Sequence, residues 1–133
     1  KDYRDITLEE CDASILKVIE KNESVHTILT GIAIDEMAER KMMDKAVNDI
    51  ITEDKGIYGL DEILALGIVN LHGSIALTNF GHVDKIKPGI IGKLDKLGKE
   101  GKECHTFLDD IVAAIAAAAA SRIAHTEEDA EIC

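Results

Sequence analysis

From Leu8 to Val18 the apolar residues Leu8, Cys11, Ile15 and Val18 fall at helical spacing, on one stripe of a predicted helix. Thr7-Leu8-Glu9-Glu10 reads as a capping box, in which the threonine oxygen and the glutamate three residues on satisfy reciprocal backbone N–H groups. This helix should stop near Lys21-Asn22. Ser24 starts a second, whose inner face is Val25, Ile28, Leu29, Ile32 and Met37. Asp44 caps a third, with apolar positions Val47, Ile50 and Ile51, and Glu53-Asp54-Lys55-Gly56 ends it.

From Leu60 to about Ile86 the pattern changes: the chain is apolar on nearly every side and free of proline. A helix apolar all round is a buried one, so this segment is the expected central helix, either unbroken or broken once near Gly81. Pro88-Gly89 ends it. Ile90–Leu97 predicts a short helix and Gly98–Glu103 an exposed loop. The last helix is expected from about Phe107 to His125, and its run Ala116–Ala120 permits close packing between helices. Thr126–Cys133 reads as a frayed acidic tail. The expectation is an all-α bundle of about six helices around a central one, a single domain over residues 1–125 with a tail at 126–133.

Composition sharpens this picture. Aromatics are 3% of the 133 residues, so aliphatic side chains and alanine must fill the core. The formal charge of −11 argues against nucleic acid, which is bound by clustered Lys and Arg. The three cysteines, Cys11, Cys104 and Cys133, have neither disulfide-framework nor zinc-site spacing, which fits a reducing, intracellular compartment. The longest apolar run, Ile111–Ala120, is ten residues. A membrane span needs roughly 17–25.

The candidate chemistry is acidic. Asp61-Glu62, Asp84, Asp95 and Asp109-Asp110 sit among apolar and small residues rather than on a uniformly polar face, with Lys87 one helical turn from Asp84. Acids in the first turn of a helix complement its dipole, which explains either acidic pair taken alone, and Asp84 with Lys87 makes an ordinary i,i+3 ion pair. The dipole explanation does not cover Asp84, near the C-terminal end of its segment, for which the ion pair with Lys87 is the plain reading. Taken together, the acids and one lysine fit a site for a hard cation and a phosphate, because Mg²⁺ is held by a few carboxylates, keeps several waters and shares a substrate phosphate. One Asp would then accept a proton from the attacking water or act as nucleophile. The five histidines form no HxxxH or HExxH pattern. His26 and His125 read as surface residues, and His72 and His82 as candidates for burial. His82 and Asn79 are further candidate neighbours of the site. No G-x-x-x-x-G-K-[ST] loop or G-x-S-x-G elbow is present, against nucleotide hydrolysis and serine esterases.

Three segments in register carry a family resemblance. Leu60-Asp61-Glu62-Ile63, then Phe80-x-x-x-Asp84-x-x-Lys87-Pro88 followed by Asp95, then Leu108-Asp109-Asp110-Ile111-Val112-Ala113 resemble the motifs of phosphatidylglycerophosphatase A. The likeness is nearest to the soluble Gram-positive branch of low-temperature-requirement protein C type. The resemblance implies an all-helical bundle and a Mg²⁺-dependent phosphomonoesterase that converts phosphatidylglycerophosphate to phosphatidylglycerol, with at most peripheral contact at the inner membrane face. It puts Asp61, Glu62, Asp84, Asp109 and Asp110 forward as metal ligands. Asp84, Lys87 and Asp110 become catalytic candidates, with Lys87 on the phosphate and Asp95 as a further motif position. Two departures stand out: Gly81 occupies the place of the family's arginine after Phe80, and Gly89 that of a bulky residue. The alternative expectation is a non-enzymatic helical scaffold or regulator that keeps the acidic cluster. Alanine- and glycine-bearing faces also predict a homo-oligomer.

Overall fold

Alanine decides the architecture. The computed structural model describes residues 5–55, 59–101 and 103–132, with side chains throughout except at Asn22 and from residue 125 onward. Among the described residues there are seven helices and no strand: α1 (Leu8–Ile19), α2 (Asn22–Glu39), α3 (Lys45–Glu53), α4 (Ile63–Asn70), α5 (Ser74–Ile86), α6 (Ile90–Lys99) and α7 (Leu108–Ile132). The fold is all-α, as the composition implied. α7 packs against α1, α2, α4, α5 and α6, so it is the central helix. Ala113, Ala114, Ala117 and Ala118 on it are fully buried. Single methyl groups on several faces let neighbouring helices come close, and alanine has the highest intrinsic helix propensity.

This corrects the sequence expectation that the 60–86 segment forms the central rod. That segment is two helices, α4 and α5, and it breaks at Gly73 rather than Gly81. Gly73 has φ +95°, a left-handed conformation that other residues rarely adopt, whereas Gly81 lies within α5. Both helices pack against α7 and against each other, burying Ala65, Ile68 and Val69 of α4 and Ala76 and Phe80 of α5.

The capping box at Thr7 and Glu10 and the Asp44 cap of α3 are present as predicted. The inner faces differ. On α1 the buried residues are Ser14 and Val18, while Leu8 is 80% exposed and Ile15 lies at the surface. Ser14 Oγ donates to the Ala119 carbonyl at 2.8 Å, so a small polar residue, not a leucine stripe, seats α1 on α7. On α2, Leu29 and Met37 are exposed; Ser24, Gly31, Asp35 and Ala38 face inward. On α3, Ile51 is buried but Val47 and Ile50 are not. Against an alanine-lined partner the closest approach goes to small residues. The helical backbone of α7 also continues to Ile132, through the stretch expected to fray. His26 is exposed, and His125 falls where side chains are not described.

Candidate functional site

The start of α7 is built by its neighbours. Asp35, buried on α2, accepts the Phe107 N–H at 3.0 Å and the Leu108 N–H at 2.8 Å, satisfying donors that open the helix. Burial pushes its pKa up to about 6, against the lowering effect of those two hydrogen bonds. Buried Thr106 donates from Oγ1 to the Ile51 carbonyl at 2.6 Å, tying the last turn of α3 to the turn before α7. Asp109 and Asp110 then occupy the first turn of α7, both buried. Helix-end hydrogen bonding accounts for them only in part, because Asp35 already takes the N–H groups of Phe107 and Leu108 and only Asp109 Oδ1 takes another, that of Asp110. Glu62 likewise stands at the N-cap of α4 without making a side-chain cap.

Lys87 joins two of the acids. It is the C-cap of α5 in left-handed conformation, φ 51° and ψ 58°. Its Nζ donates to Asp84 Oδ1 and to Asp109 Oδ2, each at 3.1 Å. Burial disfavours the ammonium, but Asp109 and then Asp84 outweigh burial and hold its pKa above the ordinary lysine value. α6 passes directly over this turn: a Cβ on Gly92 would lie 2.6 Å from the Lys87 carbonyl oxygen, so only glycine fits there. Asp109 completes the link by accepting the Asp110 N–H on Oδ1 at 2.8 Å. Its own pKa is raised by burial, with Lys87 opposing.

Asp110 has no such partner. It is 3% exposed, and its buried Oδ2 has no hydrogen-bond donor. The groups facing its carboxyl are the carboxyls of Asp84 and Asp61, all acceptors when ionised. Burial first, then these two neighbours and Asp109, push the Asp110 pKa up to about 11. Glu62 is raised in the same sense by burial, Asp84 and Asp61. Of these three carboxyls Asp84 alone has a donor among the described residues, Lys87, so the group is relieved by a shared proton or a cation, and oxygen donors of this hardness suit Mg²⁺. Among the described residues no three His, Cys, Asp or Glu side chains form a ready-made metal cage. Mg²⁺ does not require one, because it is commonly held through one or two carboxylates with waters and substrate phosphates. The donor set fits the ion.

The structure therefore brings together Asp61, Glu62, Asp84, Lys87, Asp109 and Asp110. Asp95 lies on α6 near enough to raise Asp109, while its Oδ2 accepts from Lys99 at 2.7 Å. No hydrogen bond or ion pair ties His82 or Asn79 to the group; His82 is exposed and Asn79 half-buried. His72, on the other side of the break, has a buried Nε2 without a partner, and burial, Lys21 and Arg122 lower its pKa. Sequence reading treated Asp54 only as part of a helix stop. Its carboxyl nevertheless lies within the field of the cluster: burial, then Asp109, Asp61 and Asp95, push its pKa up to about 7.

Comparison with known proteins agrees with this geometry. Residues 8–125 match the family described as phosphatidylglycerophosphatase A. The chain belongs to the phosphatidylglycerophosphatase A family. Among phosphatidylglycerophosphatase A relatives, the uncharacterised Bacillus subtilis protein YpjQ is 52% identical over 93% of this chain and 68% of its own length. YutG from the same organism, also uncharacterised, is 47% identical over 98% and 78%. The low temperature requirement C protein of Listeria monocytogenes superposes with a TM-score of 0.90 at 49% identity, over 95% of this chain and 78% of that one. Membership of the phosphatidylglycerophosphatase A family points to a phosphatase-like function. At Gly81 the surface is open, with nothing within 4 Å of an added Cβ.

Proposed function

We propose that the protein is a Mg²⁺-dependent phosphomonoesterase that hydrolyses phosphatidylglycerophosphate, or a closely related phosphomonoester, to the alcohol and inorganic phosphate. The observation that carries this reading is Asp110, a buried carboxyl faced only by other carboxyls, beside a lysine already held by Asp84 and Asp109. Asp61, Glu62, Asp109 and Asp110 would hold the cation. When bound, it would supply Lewis-acid polarisation of the phosphoryl oxygens and offset their charge. Lys87 would bind the phosphate as a point charge. The Asp84 side chain is 23% exposed, against 5% for Asp109, so of the two acids that Lys87 holds, Asp84 is the one that water can reach. It would take the proton of the attacking water, and Lys87 would orient it for that step.

Among the described residues no helix is long and apolar enough to cross a membrane. The proposed encounter with a lipid substrate is peripheral contact at the inner face of the cytoplasmic membrane. A second reading, a non-enzymatic scaffold or regulator that keeps the cation site, is favoured by one observation: Gly81 leaves open surface where the resemblance expects an arginine.

The test is thermal melting and phosphate release by wild type, Asp84→Asn and Asp110→Asn, with Mg²⁺ and with chelator. At a hundredfold excess over its dissociation constant, Mg²⁺ should stabilise the wild type by about 2.7 kcal/mol. Asp110→Asn replaces a carboxyl that keeps its proton in the metal-free protein with a neutral group of the same shape, so it should be about as stable as wild type in chelator. Asp110→Asn should lose most of the Mg²⁺ shift and the activity, and Asp84→Asn should lose the activity first. A wild type indifferent to Mg²⁺ would end the cation-site reading; a full Mg²⁺ shift without phosphate release from any lipid or small phosphomonoester would favour the scaffold.

A further inference from the structure

In a chain of formal charge −11, residues 85–99 hold five lysines, a third of its 15 basic residues, against one aspartate. The stretch comprises the end of α5, the turn at Pro88-Gly89 and the whole of α6. Lys87 is tied to Asp84 and Asp109, and Lys99 to Asp95. Lys85, Lys93 and Lys96 are exposed and make no ion pair among the described residues. A basic face on so acidic a protein is suited to a partner that carries negative charge.

The same stretch turns apolar side chains to solvent. Ile86 and Ile90 are 58% and 63% exposed, and Pro88 and Leu97 are exposed as well. Ile90, Lys93 and Leu97 stand three and seven residues apart, so they run along one strip of α6, with Lys96 one turn beyond Lys93. The helix is seated on α7 by its other side, where Ile91 is buried and Leu94 half-buried. Single exposed leucines are ordinary on any protein surface. Aliphatic residues interleaved with lysines on the open side of an amphipathic helix are the chemistry of a bilayer interface: the aliphatic tips enter between headgroups while the ammonium groups stay among lipid phosphates.

The face adjoins the acidic site through the chain itself. Ile86 and Pro88 are the neighbours of Lys87, whose Nζ lies 3.1 Å from Asp84 and from Asp109, and Gly92 brings α6 against the Lys87 carbonyl. A headgroup phosphate drawn to Lys87 would leave its acyl chains beside Ile86, Pro88 and Ile90. The acids elsewhere on the molecule oppose docking only weakly, because salt at physiological strength screens exposed charges beyond about 8 Å.

We propose that α6 and the turn before it form a docking surface for an anionic lipid bilayer. Ile86, Ile90 and Leu97 enter the headgroup layer, and Lys85, Lys93 and Lys96 face its phosphates. This names the surface for the lipid phosphatase proposed above and rests on that reading for its purpose, but docking is measured without turnover.

The experiment is co-sedimentation of the full chain with vesicles of phosphatidylcholine alone and of phosphatidylcholine with phosphatidylserine, an anionic lipid that is neither substrate nor product of the proposed reaction. It is run at low and at physiological salt. Wild type should bind the anionic vesicles, more tightly at low salt, and leave the neutral ones unbound. The double variant Lys93→Gln, Lys96→Gln should bind roughly thirtyfold more weakly, the loss expected for two lysines at an anionic surface. Ile90→Ser should weaken binding at both salt concentrations. Lys41→Gln and Leu29→Ser change exposed residues elsewhere and should bind as wild type does. All these positions are exposed, so melting temperatures should stay at the wild-type value and loss of binding is not loss of fold. A wild type that binds neither vesicle, or both equally, would overturn the proposal, as would lysine and Ile90 variants that bind like wild type. If those variants turn an oligomer of the free protein into monomer yet leave vesicle binding intact, the face joins two copies of the chain and the lipid assignment falls. Vesicle binding that follows the variants, without phosphate release from any lipid phosphomonoester, would uphold the surface and overturn only the enzyme.

Discussion

Asp35 is a buried anion whose hydrogen bonds from the start of α7 all come from backbone N–H groups, and its pKa stands near 6. Asp54 stands near 7 and Asp110 near 11, in each case chiefly through burial. A carboxyl whose pKa is raised by folding holds its proton more tightly in the folded chain than in the unfolded one. Its contribution is therefore fully present below the unfolded pKa and is lost as pH rises through the folded value. With chelator present, the melting temperature should fall as pH is raised from about 5 to 8, the window set by Asp35 and Asp54. Saturating Mg²⁺ should flatten the upper part of that slope, since it stands in for the protons on the cluster. A scan of melting temperature against pH, with and without Mg²⁺, checks both parts; stability rising with pH in chelator would contradict the assignment.

At the scale of elements, α7 begins where α2 and α3 hold it. Thr106→Val keeps the shape of the side chain but removes the 2.6 Å hydrogen bond and leaves the buried Ile51 carbonyl without its donor. The expected cost is about 1–3 kcal/mol in chelator, together with weaker Mg²⁺ binding, because the first turn of α7, with Asp109 and Asp110, would lose its tie to α3. Chemical denaturation and calorimetry would measure the two effects, and a stability loss with unchanged Mg²⁺ affinity would separate the anchor from the site. The caps of α1 and α3 and the three acidic motifs were legible in the sequence, because caps are local and the motifs have fixed spacing. The inner faces of α1 and α2 were not. Their leucines and methionine obey helical periodicity, but which side turns inward is decided by an alanine-lined partner far along the chain. The left-handed C-cap at Asp54 was hidden for a related reason: in a run of Glu53, Asp54 and Lys55 its charge looks like solvation. Asp35 went unremarked in the sequence, because nothing local shows that α7 starts against it. The break at Gly73 was missed because three glycines of the 60–86 segment look alike until one takes positive φ.

At the scale of the whole molecule, the described surface is uneven. Leu8 and Leu16 on α1 are 80% and 57% exposed, beside a shallow hollow lined by Ile6, Cys11, Ile15, Ala116, Ala120 and Ile123. We propose that the chain self-associates through this face with closed two-fold symmetry, the commonest arrangement of homo-oligomers. Sedimentation should give a dimer or larger for wild type and a monomer for Leu16→Glu; a wild type that stays monomeric at high micromolar concentration would refute this. The alanines of α7 have a different consequence, for the way the sequence can drift. Most cores fail under mutation by losing volume, as a leucine or phenylalanine is cut down and a cavity opens. Along Ala113, Ala114, Ala117 and Ala118 almost nothing remains to be cut. Nearly every change there adds atoms to an already closed contact, so random substitution will wedge this bundle apart rather than hollow it out.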